Sequence, residues 1–140
     1  MPKLPSVLLV DDDSTTNYLN KILLTRLNVA EQLLFAENGR DALVILHQAC
    51  MAPAASCPVL ILLDINTPVM NGIEFLEAYQ QLPLAHRQAI VIVLLTTSVN
   101  PRDLARVQEL PIAATLTKPL TEAKVRDLLR QHFPAQALGA

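Results

Sequence analysis

Apolar runs of strand length alternate with longer segments of helical spacing along this 140-residue chain. Such alternation favours repeated strand and helix units built around a parallel sheet. The run at residues 89–95 is apolar throughout, which indicates a strand that is covered on both faces and lies near the sheet centre. The pattern predicts one α/β domain with five strands and five helices. The predicted strands are residues 7–10, 33–36, 59–63, 89–95 and 112–116.

Capping residues between these strands mark where the helices begin. We expect Ser14 or Thr15 to be the N-cap of the first helix and Thr121 to be that of the last. Asn100 and Pro101 open the fourth helix, since proline is tolerated at the first helical position. The apolar residues that predict the first helix by their spacing are Tyr18, Leu19, Ile22, Leu23 and Leu27.

Four of the predicted strands end in a charged or hydroxyl-bearing residue. Asp11 and Asp12 follow the first strand, Asp64 the third, Thr96 the fourth and Lys118 the fifth. In an open parallel α/β sheet, ligands bind in the crevice at the carboxyl ends of the strands. We therefore expect these five side chains to converge on one site.

The carboxylates of this site would repel one another, because like charges about 4 Å apart cost on the order of 4 kcal/mol at a surface-like dielectric. A divalent cation with carboxylate and water ligands would compensate that repulsion, and the small number of protein ligands favours Mg²⁺ over Ca²⁺. Lys118 adds a mobile positive charge that can pair with Asp64 or with a phosphoryl group. A carboxylate beside Mg²⁺, a lysine and a hydroxyl predicts a phosphoryl-accepting site with Asp64 as the nucleophile.

Several motifs at these strand ends resemble the receiver domains of bacterial two-component response regulators, over residues 6–132. The motifs are Val10-Asp11-Asp12, Leu63-Asp64 with Pro68 and Gly72, Leu95-Thr96, and Lys118-Pro119. The resemblance implies a doubly wound (βα)5 flavodoxin-like fold, with a parallel sheet of order 2-1-3-4-5 and helices on both faces. It also implies a cis peptide bond between Lys118 and Pro119.

The same resemblance implies a role for each residue at the strand ends. Asp64 would be the phosphoacceptor, supplied by a histidine kinase or a histidine phosphotransfer protein. The implied Mg²⁺ ligands are Asp12 directly, Asp11 largely through water, Asp64, and the backbone carbonyl of Asn66. Thr96 would close on the phosphoryl group and Lys118 would bind one of its oxygens.

Two residues depart from the family pattern. Thr115 stands three positions before Lys118, where many members have an aromatic residue that moves on activation. Thr97 stands where many members have a smaller residue, which predicts altered access of the phosphoryl group. A switch would then depend on Thr96 and on the backbone of residues 97–102. The expected contact face for an unidentified downstream target is residues 100–116.

Composition limits the partners and the location. A net charge of −2 gives no electrostatic reason to expect nucleic acid or an anionic membrane. The longest apolar runs fall far short of the roughly 20 residues that span a bilayer, and no secretion signal is visible. We expect a cytoplasmic monomer or weak dimer, with a receiver domain at residues 6–133 and a loose tail at 134–140. Cys50 and Cys57 are expected to be free thiols, because a reducing cytoplasm disfavours a bridge.

Alternative functions remain for this pattern. A haloacid-dehalogenase-like phosphatase also phosphorylates a strand-end aspartate, but it needs an acid two positions later, where this chain has Asn66. A flavodoxin-like redox module is disfavoured because Asp11, Asp12 and Asp13 would repel a flavin phosphate. The chain could also be a protein interaction module whose site is vestigial. Each motif also has a structural interpretation, in which Asp11 to Asp13 serve as helix caps.

Overall fold

The computed structural model describes residues 3–51, 57–82, 90–97, 105, 109–110 and 112–133. Within these ranges, five strands and four helices follow one another, with a helix after each of the first three strands and after the fifth. The strands are β1 (Leu4–Val10), β2 (Ala30–Ala36), β3 (Leu60–Asp64), β4 (Val91–Thr96) and β5 (Ala114–Thr117). The helices are α1 (Ser14–Arg26), α2 (Gly39–Met51), α3 (Gly72–Tyr79) and α4 (Glu122–His132).

All five strands pair in parallel in the order β2-β1-β3-β4-β5, which confirms the expected doubly wound sheet. β3 lies at the centre, so Asp64 at its end has β1 on one side and β4 on the other. The register places Asp64 opposite Leu95 and Thr96 opposite Thr117. The sheet therefore brings the ends of β1, β3, β4 and β5 to one edge.

The central strands are buried on both faces, as their continuous apolar sequences predict. One core layer packs between the sheet and helices α2 and α3, and the other packs between the sheet and helices α1 and α4. Strand residues alternate between the layers, with Leu8, Val10, Ile61 and Leu63 in the first and Val7, Leu9, Leu60 and Leu62 in the second. Apolar packing on both faces of the sheet therefore fixes the strands whose ends carry the strand-end residues.

Helix α1 differs from its prediction at its N-terminus. Its N-cap is Asp13, whose side chain accepts a hydrogen bond from the Thr15 backbone, rather than Ser14 or Thr15. The apolar residues that predict this helix lie on two sides of it, because Tyr18, Leu19 and Ile22 are 61%, 58% and 46% exposed whereas Leu23 and Leu27 pack against the core. The residues that α1 buries are Asn20 and Leu24. Apolar residues lie on more than one side of this helix, so their spacing alone cannot identify the face that meets the sheet.

The cysteines also differ from expectation, because Cys50 and Cys57 form a disulfide. Cys50 lies in α2 and Cys57 lies shortly before β3, and their Cα atoms are 4.4 Å apart, at the short end of the disulfide range. The prediction of free thiols relied on the expected compartment. A bridge across the short segment between the two cysteines was sterically conceivable, and the structure forms it.

Two sequence predictions lie outside the described residues. They are the start of the fourth predicted helix at Asn100-Pro101 and the tail at residues 134–140. No helix within the described ranges combines the length and the hydropathy that crossing a membrane requires.

Candidate functional site

Three carboxylates meet at the edge of the sheet, as the strand-end pattern predicts. Asp11, Asp12 and Asp64 each place one carboxylate oxygen within 4.8 Å of the others. Asp11 and Asp64 are only 4% and 7% exposed, whereas Asp12 is exposed. The site thus has a buried floor of two acids and one acid that faces solvent.

Lys118 lies against the two buried carboxylates. Its Nζ is 2.6 Å from Asp11 Oδ2 and 3.3 Å from Asp64 Oδ2. The chain reaches this point because the Lys118 backbone N–H donates to the Thr96 carbonyl at 2.7 Å, which extends the pairing of β4 and β5 by one residue. The peptide bond to Pro119 is cis, as expected. One ammonium group therefore pairs with both buried acids.

Burial and charge act in opposite directions on these groups. Burial raises the pKa of Asp64, although the hydrogen bond from the Asn66 backbone and the charge of Lys118 oppose the rise. Burial alone would lower the pKa of Lys118, but its hydrogen bond to Asp11 and the charges of Asp11 and Asp64 outweigh burial and raise it. The site thus keeps its lysine charged while it disfavours the ionised form of its central aspartate.

This balance predicts how Asp64 affects stability when no cation is bound. Because the pKa of Asp64 is higher in the folded protein than its ordinary value, stability falls as pH rises between those two values. Asp64→Asn is therefore expected to stabilise the metal-free protein at pH 7, because it removes a charge that the folded state disfavours while Lys118 keeps Asp11 as its partner. Urea unfolding in EDTA measures this gain. The gain should disappear at a pH below about 3, where Asp64 is protonated in both the folded and the unfolded protein. Equal stability of the variant and the wild type at pH 7 would contradict a raised pKa for Asp64.

The loop after Asp64 is held by its own backbone. Asp64 Oδ1 accepts a hydrogen bond from the Asn66 N–H at 3.2 Å. The Thr67 hydroxyl donates to the Met70 carbonyl at 2.7 Å, and the Gly72 N–H donates to the Ile65 carbonyl at 2.8 Å. These bonds return the chain to β3 and fix the orientation of the Asp64 carboxylate.

Gly72 is required by the tightness of this return. A Cβ atom at residue 72 would lie 2.8 Å from Ile65 Cα and 2.9 Å from the Asp64 carbonyl oxygen, both backbone atoms. Gly72→Ala is expected to destabilise the protein by about 2 kcal/mol, in the usual range for overpacking. Urea unfolding measures the change, and Ala78→Gly, at the next-to-last residue of α3, is a comparison that introduces no clash and is expected to cost at most about 1 kcal/mol. An unchanged midpoint for Gly72→Ala would show that the loop can yield.

The third early aspartate serves a different purpose. The Asp13 carboxylate accepts hydrogen bonds from the Thr15 N–H at 2.9 Å and from the Thr16 hydroxyl at 3.0 Å. These bonds, that from Thr16 first, lower the pKa of Asp13. The Asp13 N–H in turn donates to Asp11 Oδ1 at 2.9 Å. Asp13 therefore caps α1, and its backbone orients the buried acid of the site.

The remaining predicted residues lie at or near the same edge. Thr96 is buried at the end of β4. The Asn66 side chain is exposed, so it is its backbone that faces Asp64. Thr97 and Lys118 line a cavity of about 410 Å³ that is also lined by Thr16, Leu19 and Asn20 of α1. Thr115 is exposed on β5.

Sequence reasoning missed two groups that support this site. The Asn17 side-chain amide donates to the Asp11 carbonyl at 2.9 Å. Lys124 donates to the backbone on both sides of Lys118. Neither residue ends a strand, so the strand-end pattern gave no reason to select them. A weak signal was present, since asparagine and an N-terminal lysine are both unfavourable choices for a helix.

Comparisons with known proteins agree with this architecture. A family model for the response regulator receiver domain matches residues 7–130. Response regulator Rcp1 from Synechocystis sp. (strain ATCC 27184 / PCC 6803 / Kazusa) is 34% identical over 112 residues, or 80% of this chain and 75% of that protein. The crystal structure of a two-component response regulator from Cytophaga hutchinsonii has a TM-score of 0.83 at 28% identity, covering 99% of this chain and 100% of that chain. The crystal structure of the Mn²⁺-bound form of Rcp1 has a TM-score of 0.70 at 30% identity, covering 94% of each chain.

The chain therefore belongs to the response regulator receiver domain family, as the motifs at the strand ends implied. It is a signalling domain of the two-component type with a flavodoxin-like fold, and its acidic cluster has the donor atoms for a divalent cation.

Proposed function

We propose that this chain is a receiver that accepts a phosphoryl group on Asp64 from a histidine kinase or a histidine phosphotransfer protein. The observation that carries the proposal is the position of Asp64. Lys118 Nζ lies 3.3 Å from one of its carboxylate oxygens, and Asp11 and Asp12 each place a carboxylate oxygen within 4.8 Å of it. Phosphoryl transfer depends mainly on in-line positioning and on neutralising the charge of the phosphoryl oxygens. The site supplies a nucleophile and a cationic side chain for these two tasks.

The acids fit Mg²⁺ by their chemistry. All three donors are hard carboxylate oxygens, and exposed Asp12 leaves space for water ligands, which Mg²⁺ usually retains. We assign Asp11, Asp12, Asp64 and the Asn66 backbone carbonyl to hold the ion, and the Mn²⁺-bound form of Rcp1 supports a divalent cation in this family. When bound, Mg²⁺ neutralises negative charge on the phosphoryl oxygens.

In the proposed reaction, a carboxylate oxygen of Asp64 attacks the phosphorus atom in line with the donor imidazole. A new oxygen–phosphorus bond forms while the phosphorus–nitrogen bond breaks, and its electron pair remains on the imidazole. Lys118 shifts its pairing from Asp64 to a phosphoryl oxygen, and Thr96 closes on another. Hydrolysis by water later returns the Asp64 carboxylate and inorganic phosphate.

The phosphorylated receiver would signal through a change of its surface. With an exposed threonine at residue 115, no aromatic side chain at that position can take part in the switch. The proposed switch therefore uses Thr96 and the backbone after it, and the target would contact the face between residues 100 and 116. Most of that segment lies outside the described residues.

The test is phosphorylation by a small acyl phosphate, which removes the need for an identified kinase. Intact-mass spectrometry should show one added phosphoryl group when Mg²⁺ is present and none in EDTA. A protein that gains no phosphate under either condition, and that binds neither Mg²⁺ nor a phosphoryl mimic, would instead be an interaction module with a vestigial site.

A further inference from the structure

One lysine of α4 holds the chain on both sides of Lys118. Lys124 Nζ donates to the Thr117 carbonyl at 2.6 Å, to the Thr117 hydroxyl at 3.3 Å and to the Pro119 carbonyl at 3.0 Å. An ammonium group has three donors, and these contacts use all of them. The two carbonyls belong to the residues directly before and after Lys118, so one side chain fixes the segment that carries the lysine of the site.

The position of Lys124 in its helix is unfavourable for a cation. It is the third residue of α4, with Thr121 as N-cap accepting its N–H at 3.3 Å. Glutamate or glutamine at this position would complete a capping box, as Glu74 does with Asn71 at the start of α3. The positive end of the helix dipole also repels a cation there. Lys124 thus forgoes a capping-box bond and lies at the unfavourable end of the helix dipole, yet it bonds the residues on both sides of Lys118. This combination indicates that Lys124 serves to hold that segment.

Lys118 directly follows the last residue of β5, so sheet pairing holds the chain on only one side of it. Before Lys118, the backbone is fixed by its N–H bond to the Thr96 carbonyl. After Lys118, the chain leaves the sheet, and the Pro119 nitrogen has no hydrogen to donate to a neighbouring strand. The hydrogen bond from Lys124 to the Pro119 carbonyl holds this departing end.

We propose that Lys124 is a positioning residue that clamps residues 117–119 and thereby holds Lys118 Nζ between Asp11 and Asp64. The inference rests on the proposed phosphoryl transfer for its kinetic consequence, but the placement of Lys118 is itself measurable in the metal-free protein. Lys124 does not touch the acids, so its loss is expected to change the rate of transfer and leave cation binding intact.

The test uses Lys124→Met, which keeps an apolar stem and removes the donors. At saturating Mg²⁺ and acyl phosphate, phosphoryl uptake is expected to be on the order of 10-fold slower than in the wild type, because small displacements of a catalytic group are costly. The Mg²⁺ dissociation constant should not change. In ¹⁵N-lysine-labelled metal-free protein, the Lys118 ammonium signal, identified by its loss in Lys118→Ala, should shift or broaden. If Lys124→Met does not fold, Lys124→Gln, which keeps two donors, is used instead. Its phosphoryl uptake should also be slowed and its Lys118 signal shifted, each by less than in Lys124→Met.

Arg126→Met is the matched control, since Arg126 lies on the same helix and pairs with Glu122 on its exposed side. It should take up phosphate at the wild-type rate. Wild-type uptake by the Lys124 variant would overturn the clamp, as would a loss of Mg²⁺ affinity or an equal slowing in Arg126→Met, because both would indicate a general structural effect. A wild-type protein that takes up no phosphate would refute the proposed function instead. In that case the Lys118 ammonium signal alone tests the clamp, and an unchanged signal in Lys124→Met would overturn the clamp.

Discussion

Asp64→Asn is expected to abolish phosphoryl uptake from an acyl phosphate in the presence of Mg²⁺. The amide is nearly isosteric with the carboxylate and can still accept the hydrogen bond from the Asn66 N–H. It lacks the anionic oxygen that must attack phosphorus. We therefore expect a loss of at least about 10⁴-fold, the scale seen when one reacting group is removed. Intact-mass spectrometry over a time course measures it.

The matched control for this variant is Asp13→Asn. Asp13 lies beside the cluster in sequence, yet its carboxylate caps α1, and asparagine is an equally good N-cap. Uptake should therefore remain at the wild-type level in Asp13→Asn. Uptake by Asp64→Asn at the wild-type rate would place the acceptor at another residue, and a loss in both variants would show that the effect is not specific to residue 64.

Lys118→Ala is expected to slow phosphoryl uptake by about 100-fold, in the range found when one preorganised donor to a developing charge is removed. Mg²⁺ binding should remain largely intact, because the proposed ligands are the acids and the Asn66 carbonyl. The same change leaves Asp11 and Asp64 facing each other without a buried cation. We therefore expect the metal-free protein to lose about 3 kcal/mol of stability, as when one partner of a buried ion pair is removed, and Mg²⁺ should restore part of it.

Uptake rates at saturating Mg²⁺ and urea unfolding with and without Mg²⁺ test both effects. Lys21→Ala is the control, because Lys21 is exposed on α1 and its removal should change neither quantity. A Lys118→Ala variant with wild-type uptake would show that the ammonium group is not used in the transfer. A variant with greatly weakened Mg²⁺ binding would show that Lys118 acts by organising the acids.

The parallel α/β architecture and the convergence of the site were predictable because they depend on features that a linear sequence displays, whereas the strand order came from the family resemblance. Continuous apolar runs identify the buried central strands, and the polar residue that ends each run must lie at the same edge of a parallel sheet. Asp11, Asp12, Asp64 and Lys118 were found for this reason. The residue types at the strand ends predict Asp64 as the nucleophile, and the separate roles of Asp11, Asp12 and Thr96 come from the family resemblance.

The features that sequence reasoning missed depend on three-dimensional proximity. The inward face of α1 could not be identified because apolar residues lie on two sides of the helix: Tyr18, Leu19 and Ile22 are exposed, whereas Leu24 is buried. The disulfide depends on how the chain returns from α2 to β3. Lys124 contacts residues 117–119 because the start of α4 folds back on the turn that precedes it. Spacing rules describe single elements, and these contacts form between elements.

The measurement that tests the central claim most directly is the location of the phosphoryl group. Wild-type protein phosphorylated in Mg²⁺ is reduced with borohydride, which converts an aspartyl phosphate to homoserine, and the product is mapped by peptide mass spectrometry. We predict homoserine at residue 64 and at no other aspartate. Homoserine at a different position, or a phosphate that resists borohydride because it is carried by a hydroxyl or an imidazole, would contradict the account.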